Sequence, residues 1–183
     1  YGDASTNSAH NNVAVGRESL TAVSSGEKNT TMGARAGANI TSQGATVFAG
    51  FEAGLNQAAG SGRSVAIGHQ ALYSGTQNYE DVAIGFNAGR KATGASASSV
   101  YLGTRAGPTS TGVVQNKLYI HNAESDTPLI YGDFAGPSVT VNGALGVTGS
   151  LSVTGSTLAV KKEMKTDLGA ASASETLSDS YSH

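Results

Sequence analysis

"YEDVAIGFNAG", residues 79–89, decides how this chain is read. Three apolar, strand-forming residues run into a glycine, and four residues later a second glycine follows a small residue. Nearly the same phrase stands at "SVAIGHQAL" (64–72) and, blurred, at "SVYLGTRAG" (99–107). Aligning on the glycine that closes each phrase gives six copies: Val13-Ala14-Val15-Gly16, Thr30-Thr31-Met32-Gly33, Val47-Phe48-Ala49-Gly50, Val65-Ala66-Ile67-Gly68, Val82-Ala83-Ile84-Gly85 and Val100-Tyr101-Leu102-Gly103. The glycines are 17, 17, 18, 17 and 18 residues apart. Four residues after each stands Gly37, Gly54, Gly89 or Gly107, or else Leu20 or Leu72. Ser19, Ala36, Ala53, Ala71, Ala88 or Ala106 precedes it, and a polar turn completes the unit. A phrase returning at a fixed interval is the mark of a repeat architecture.

A unit of this length is too short for a helical hairpin. It also places glycine and β-branched residues where helices disfavour them. It suits one coil of a β-solenoid, with a short strand at the triplet and another near the small residue. Successive coils stack at the parallel-strand spacing of about 4.8 Å, so the six repeats predict a rod of roughly 25–30 Å.

The triplets are apolar on both faces, which marks strands covered on both sides. Flanking positions such as Val13/Val15, Val65/Ile67 and Val82/Ile84 point one way, and the central Ala14, Phe48, Ala66, Ala83 and Tyr101 the other. Thr31 is the polar exception. A thin coil offers little room for a core of its own, and the mostly small central residues suit close approach to a partner. The expectation is therefore a homotrimer, with closed symmetry, in which Ala14, Ala66 and Ala83 face the axis.

After Gly107 the period changes. Lys117 to His121 and Pro128 to Phe134 are strand candidates around a polar turn at 122–127. In "VTVNGALGVTGSLSVTGSTLAV" (139–160) the glycines at 143, 149 and 155 are six apart. The apolar side chains there are too sparse to close a core within one chain. This predicts an intertwined β shaft, with Val141, Leu145, Val147, Leu151 and Val153 towards a common axis. Four segments result: a β-roll head (1–107), a β-rich connector (108–138), a trimeric shaft (139–160) and a polar, weakly ordered tail (161–183).

The chain has 183 residues, a net charge of −2, 13% charged residues and no cysteine. It has no basic patch to suit nucleic acid, no thiolate metal site or disulfide, and no apolar run near the ~20 residues of a membrane helix. It starts at Tyr1 rather than Met, which reads as a fragment or a processed product.

Asn12-Val13-Ala14-Val15-Gly16 and Asp81-Val82-Ala83-Ile84-Gly85-Phe86-Asn87-Ala88-Gly89 resemble the head repeats of trimeric autotransporter adhesins. They resemble still more closely the related repeats of bacteriophage tail fibres. Lys117-Leu118-Tyr119-Ile120, Pro128 to Phe134 and Val139 to Gly143 resemble the segment that follows such repeats in phage fibres. The resemblance covers roughly residues 11–160. It implies an all-β fold: a homotrimeric left-handed parallel β-roll (solenoid) followed by an intertwined β shaft. It implies a structural fibre protein at the virion surface, a phage tail or capsid fibre that mediates attachment to a host-surface glycan or protein. Its companions would be other virion fibre or baseplate proteins. The alternatives are a fragment of a bacterial trimeric surface adhesin, placed at the bacterial cell surface, and a polysaccharide-degrading tail fibre.

Two features suit receptor contact. One is the ladder just after the triplet glycines, where Phe51, His69 and Phe86 fall on consecutive coils. Its structural reading is ring stacking that stiffens the rod; its functional reading is a surface for sugar rings. The other is the turn at 73–81, which carries Tyr73, Gln77, Asn78 and Tyr79 on a rigid scaffold. Glycoside cleavage needs two converging carboxylates. Adjacent Glu80 and Asp81 diverge along a strand, and Glu52, Asp126 and Asp133 lie far apart, so no catalytic residue and no cofactor is expected. The histidines (10, 69, 121 and 183) have no metal-ligand spacing; His121 would be the one to meet its copies on an axis.

Overall fold

The computed structural model describes residues 9–57, 62–75, 79–93, 97–150 and 152. Among them there is no helix, and nine strands form one sheet in chain order. Strands β1 (Val13–Val15), β2 (Thr30–Met32), β3 (Val47–Ala49), β4 (Val65–Ile67), β5 (Val82–Ile84) and β6 (Val100–Leu102) coincide with the six triplets. Each pairs in parallel with the next, one repeat on: Val13 against Thr30, Val47 against Val65, Val82 against Val100. A parallel ladder whose register is one repeat forces one full coil per repeat. The fold is a β-solenoid of about 6 turns.

The second strand expected near the small residue does not form; that side of the coil is a run of turns. Its backbone is left-handed at the second residue after each triplet glycine, with φ of 58° at Arg35, 55° at Glu52 and 56° at Asn87. It is left-handed again two residues later, which breaks an extended run. Coil-to-coil hydrogen bonding survives: the Arg35 N–H donates to Arg17 O at 2.8 Å, and the Gly37 N–H to Ala53 O at 2.9 Å. The triplet glycine is obligatory for a different reason. A Cβ on Gly50 (φ +135°) would lie 2.4 Å from Gly68 O on the next coil.

The central residues fill the coil. Thr31, Phe48, Ala66, Ala83 and Tyr101 are fully buried, the last four in one cluster with Leu20, Ile40, Leu72 and the small corner alanines. This corrects the expectation that Ala66 and Ala83 lie against a partner chain. The coil has depth enough to seat Phe48 and Tyr101, so the central face is its interior. Ala14 is exposed, but it is in register with Thr31 on that same interior side of the ladder. The flanking residues face out: Val13, Val15, Met32, Val47, Ile67 and Ile84 are 38–58% exposed.

The corner residue is matched to the interior. A Cβ on Gly54 would meet Phe48 Cε2 at 2.3 Å, and one on Gly89 would meet Leu72 and Tyr101 at 2.8 and 2.9 Å. In the coils of Ala14 and Ala66 the corner is Leu20 or Leu72, held at φ 53° and 50°; the coil of Ala83 keeps Gly89, because Leu72 and Tyr101 of the adjoining coils already fill that space.

The sheet does not stop at residue 107. Strand β7 (Lys117–Ile120) adds in parallel to β6, placing Leu118 against Val100. The chain then turns back as an antiparallel meander through β8 (Ile130–Asp133) and β9 (Ser138–Val141). Interior rings bridge the change of direction: Tyr101 stacks on Tyr119 at 5.6 Å, and Tyr119 meets Tyr131 edge-on at 5.4 Å.

The chain divides into two units, Tyr1–Leu145 and Gly146–His183. The coils and the meander belong to the first. In the second, residues 146–150 and 152 carry no strand and are exposed. Leu151 and Val153 of the expected shaft, and the whole tail from 161, lie outside the described residues.

Candidate functional site

Each repeat delivers its outward side chains to fixed positions, so the surface is a set of vertical ladders. One is the mostly apolar face of flanking residues, a pair from each of β1 to β6 with Thr30 the polar member. A parallel sheet is ordinarily covered on both faces. Here one face is packed and the other is open, which makes the open face a candidate interaction surface.

Two residues beyond the triplet's last member, and so along the same margin, runs the aromatic ladder. Phe51 stacks on His69 at 5.2 Å and 24°, and His69 on Phe86 at 5.1 Å and 23°. The Arg105 guanidinium lies 5.8 Å from the Phe86 ring centre. Successive rings turn their faces to one another, so the exposure of Phe51 and Phe86, 43% each, leaves mostly ring edges to solvent. Stacking of this kind is worth about 0.5–1.5 kcal/mol per pair beyond burial.

A charged ladder lies beside it, one residue further on. Arg35 pairs with Glu52 above and reaches Glu18 below at 3.6 Å. The Gln70 amide donates to Glu52 Oε2 at 2.7 Å. Glu52 is only 7% exposed, so its charge is compensated rather than free.

Of the decorated turn, Tyr73 and Tyr79 are described and half-buried, while Gln77 and Asn78 lie outside the described residues. Arg90 sits 5.5 Å from the Tyr73 ring centre, and Tyr79 bridges to Gly62 and Ala97 on the adjoining coils. Val141 pairs with Ile130 in the meander. Leu145 and Val147 are 68% and 47% exposed.

The carboxylates singled out in the sequence are held apart. Glu80 pairs with Arg63 at 2.9 Å on the surface, whereas Asp81 is fully buried. Asp126 accepts from the Thr109 N–H and hydroxyl, which hold its carboxyl below the usual range. Asp133 takes the Lys117 ammonium at 2.6 Å. His121 accepts the Leu129 N–H on Nδ1 at 3.3 Å. Among the described residues no three His, Asp or Glu converge as a metal site, and no helix is long and apolar enough to cross a membrane.

Sequence reasoning missed a polar ladder just ahead of the strands, half-buried at Asn12 and buried at Asn29, Thr46, Ser64, Asp81 and Ser99. Its signal was present: a polar residue directly before every triplet.

No protein-family model, no curated protein and no solved structure matches the chain.

Proposed function

We propose that this chain is a segment of a homotrimeric fibre whose role is structural projection and attachment. The fibre belongs to a virion, as a phage tail or capsid fibre that contacts a glycan or protein of the host surface.

One observation carries the reading: the half-exposed apolar stripe of Val13, Val15, Met32, Val47, Ile67 and Ile84 on a parallel sheet packed on its other face. Covering a half-exposed Val or Ile side chain contributes about 1 kcal/mol, and the stripe repeats the gain on every coil. A sister chain supplies the same stripe in the same spacing, so copies related by a closed rotation cover one another over the length of the solenoid. The axis-facing residues are then these flanking ones. The shaft extends the same assembly, with Leu145 and Val147 turned to sister copies. The Phe51–His69–Phe86 ladder and the turn bearing Tyr73 and Tyr79 are the candidate receptor contacts, because they bring aromatic and polar groups to fixed places on a rigid scaffold.

Two experiments test the two halves. Ile67→Asp with Ile84→Asp places charges in the stripe without touching the coil interior; dissociation of the assembly into folded single chains supports the interface, and unchanged assembly refutes it. A glycan array read alongside labelling of intact virions tests attachment; binding to no host surface component, or absence from the particle, refutes the role.

A further inference from the structure

The polar ladder has one ionisable rung. Asn12 Oδ1 accepts the Asn29 N–H at 2.9 Å, Asn29 Oδ1 the Thr46 N–H at 3.2 Å and Ser64 Oγ the Asp81 N–H at 3.3 Å. Asp81 Oδ1 accepts the Ser99 N–H at 2.8 Å, and Ser99 Oγ the Lys117 N–H at 3.2 Å. The asparagines also donate: Asn12 Nδ2 to Gly26 O at 2.8 Å, and Asn29 Nδ2 to Gln43 O at 2.9 Å. An ionised carboxylate has no proton to donate and a neutral carboxylic acid has one, although no acceptor is seen opposite Asp81 Oδ2 among the described residues.

The surroundings of Asp81 disfavour a charge. It is fully buried on the interior side of β5, and its Oδ2 has no partner among the described residues. The hydroxyl of buried Tyr101, on the next coil, lies near the Ser99 side chain but makes no well-formed hydrogen bond. Glu80, next in sequence, adds a like charge. The nearby cations are engaged elsewhere: Arg63 on the coil before pairs with Glu80, and Lys117 on the coil beyond Tyr101 pairs with Asp133. Tyr119, stacked on Tyr101, brings a further neutral phenol. Burial, opposed by the Ser99 N–H and assisted by Glu80, pushes the Asp81 carboxyl up to about 7. Burial first, and then the Asp81 charge, raises the Tyr101 phenol far above its ordinary value, so it stays protonated.

We propose that Asp81 enters the coil as the neutral acid, a proton-held rung, and that the coils around β5 loosen when this proton leaves. A free aspartate releases its proton near pH 3.9. Between about pH 4 and about pH 7 the folded chain therefore holds a proton that the unfolded chain has lost. The folded-to-unfolded ratio falls by up to about tenfold per pH unit across that window and levels off above it.

The test is thermal unfolding of the full chain from about pH 4.5 to about pH 8.5, against Asp81→Asn. The melting temperature of the unaltered chain is expected to fall towards neutrality. That of Asp81→Asn is expected to vary less with pH and to lie above it at the alkaline end. A flat profile for the unaltered chain, or the same slope in the variant, overturns the proposal. If the variant does not fold, a carbon NMR titration of the Asp81 carboxyl in the unaltered chain decides. A midpoint near neutrality supports the proton-held rung, and one near that of a free aspartate overturns it.

Discussion

Leu72 occupies a repeat position that four other repeats give to glycine. Its φ of 50° sits beside 57° at Gly37 and 60° at Gly54, a region in which a side chain costs roughly 1–3 kcal/mol. It persists because its side chain is fully buried in a coil whose strand contributes only Ala66. Leu72→Gly is therefore expected to destabilise the fold by about 1–3 kcal/mol even though it relieves the backbone, because the emptied volume outweighs the strain; chemical denaturation measures it. The reverse change, Gly54→Leu, drives a side chain into Phe48. It should be severely destabilising alone and partly rescued by Phe48→Ala, a coupling that a double-mutant cycle reads directly. The sequence displayed both kinds of corner at one repeat position. The reason for the choice became legible only once Gly54 was seen against Phe48, and Leu72 against its small neighbours.

At the scale of the element, strand positions were legible to the residue because each triplet ends on a glycine that the next coil's backbone forbids to any other residue. The direction of each strand's faces was not. With Val or Ile on one side and Ala on the other, alternation carries no sign; only Phe48 and Tyr101 marked the side with depth. The turn side escaped too, because left-handed residues such as Arg35 and Glu52 have no compositional signature. The meander gives a further prediction. The Lys117 hydrogen bond holds the Asp133 carboxyl below its ordinary range, and the Asp133 bond raises the Lys117 ammonium. A depressed carboxyl contributes stability that is present above about pH 4 and lost as pH falls through its folded value. Acid should thus loosen the β7–β8 pair first, and Lys117→Met should weaken that acid dependence, as amide hydrogen exchange of β8 would report. In the aromatic ladder, His69→Ala should cost about 0.5–1.5 kcal/mol for each of the two stacked ring pairs it breaks. Combining it with Phe86→Ala should give less than the sum of the two.

For the whole molecule, the decisive feature is a sheet with a finished interior and an unfinished exterior. The interior is complete within one chain, from Leu20 through Phe48 and Leu72 to Tyr119. The fold therefore does not need a partner, and the proposed trimer rests on the exposed face alone. Parallel strands with an open face of Val, Ile and Met are covered in stable proteins, and identical coils at identical spacing are the simplest cover. Repeat, period and coil were legible in the sequence; which face fills the coil was not, since a strand apolar on both faces does not say which side is the interior. Sedimentation equilibrium of the full chain at low micromolar concentration tests this most directly. The account predicts a folded species of three times the 18.3 kDa chain mass. A cooperatively folded species of single-chain mass would contradict it.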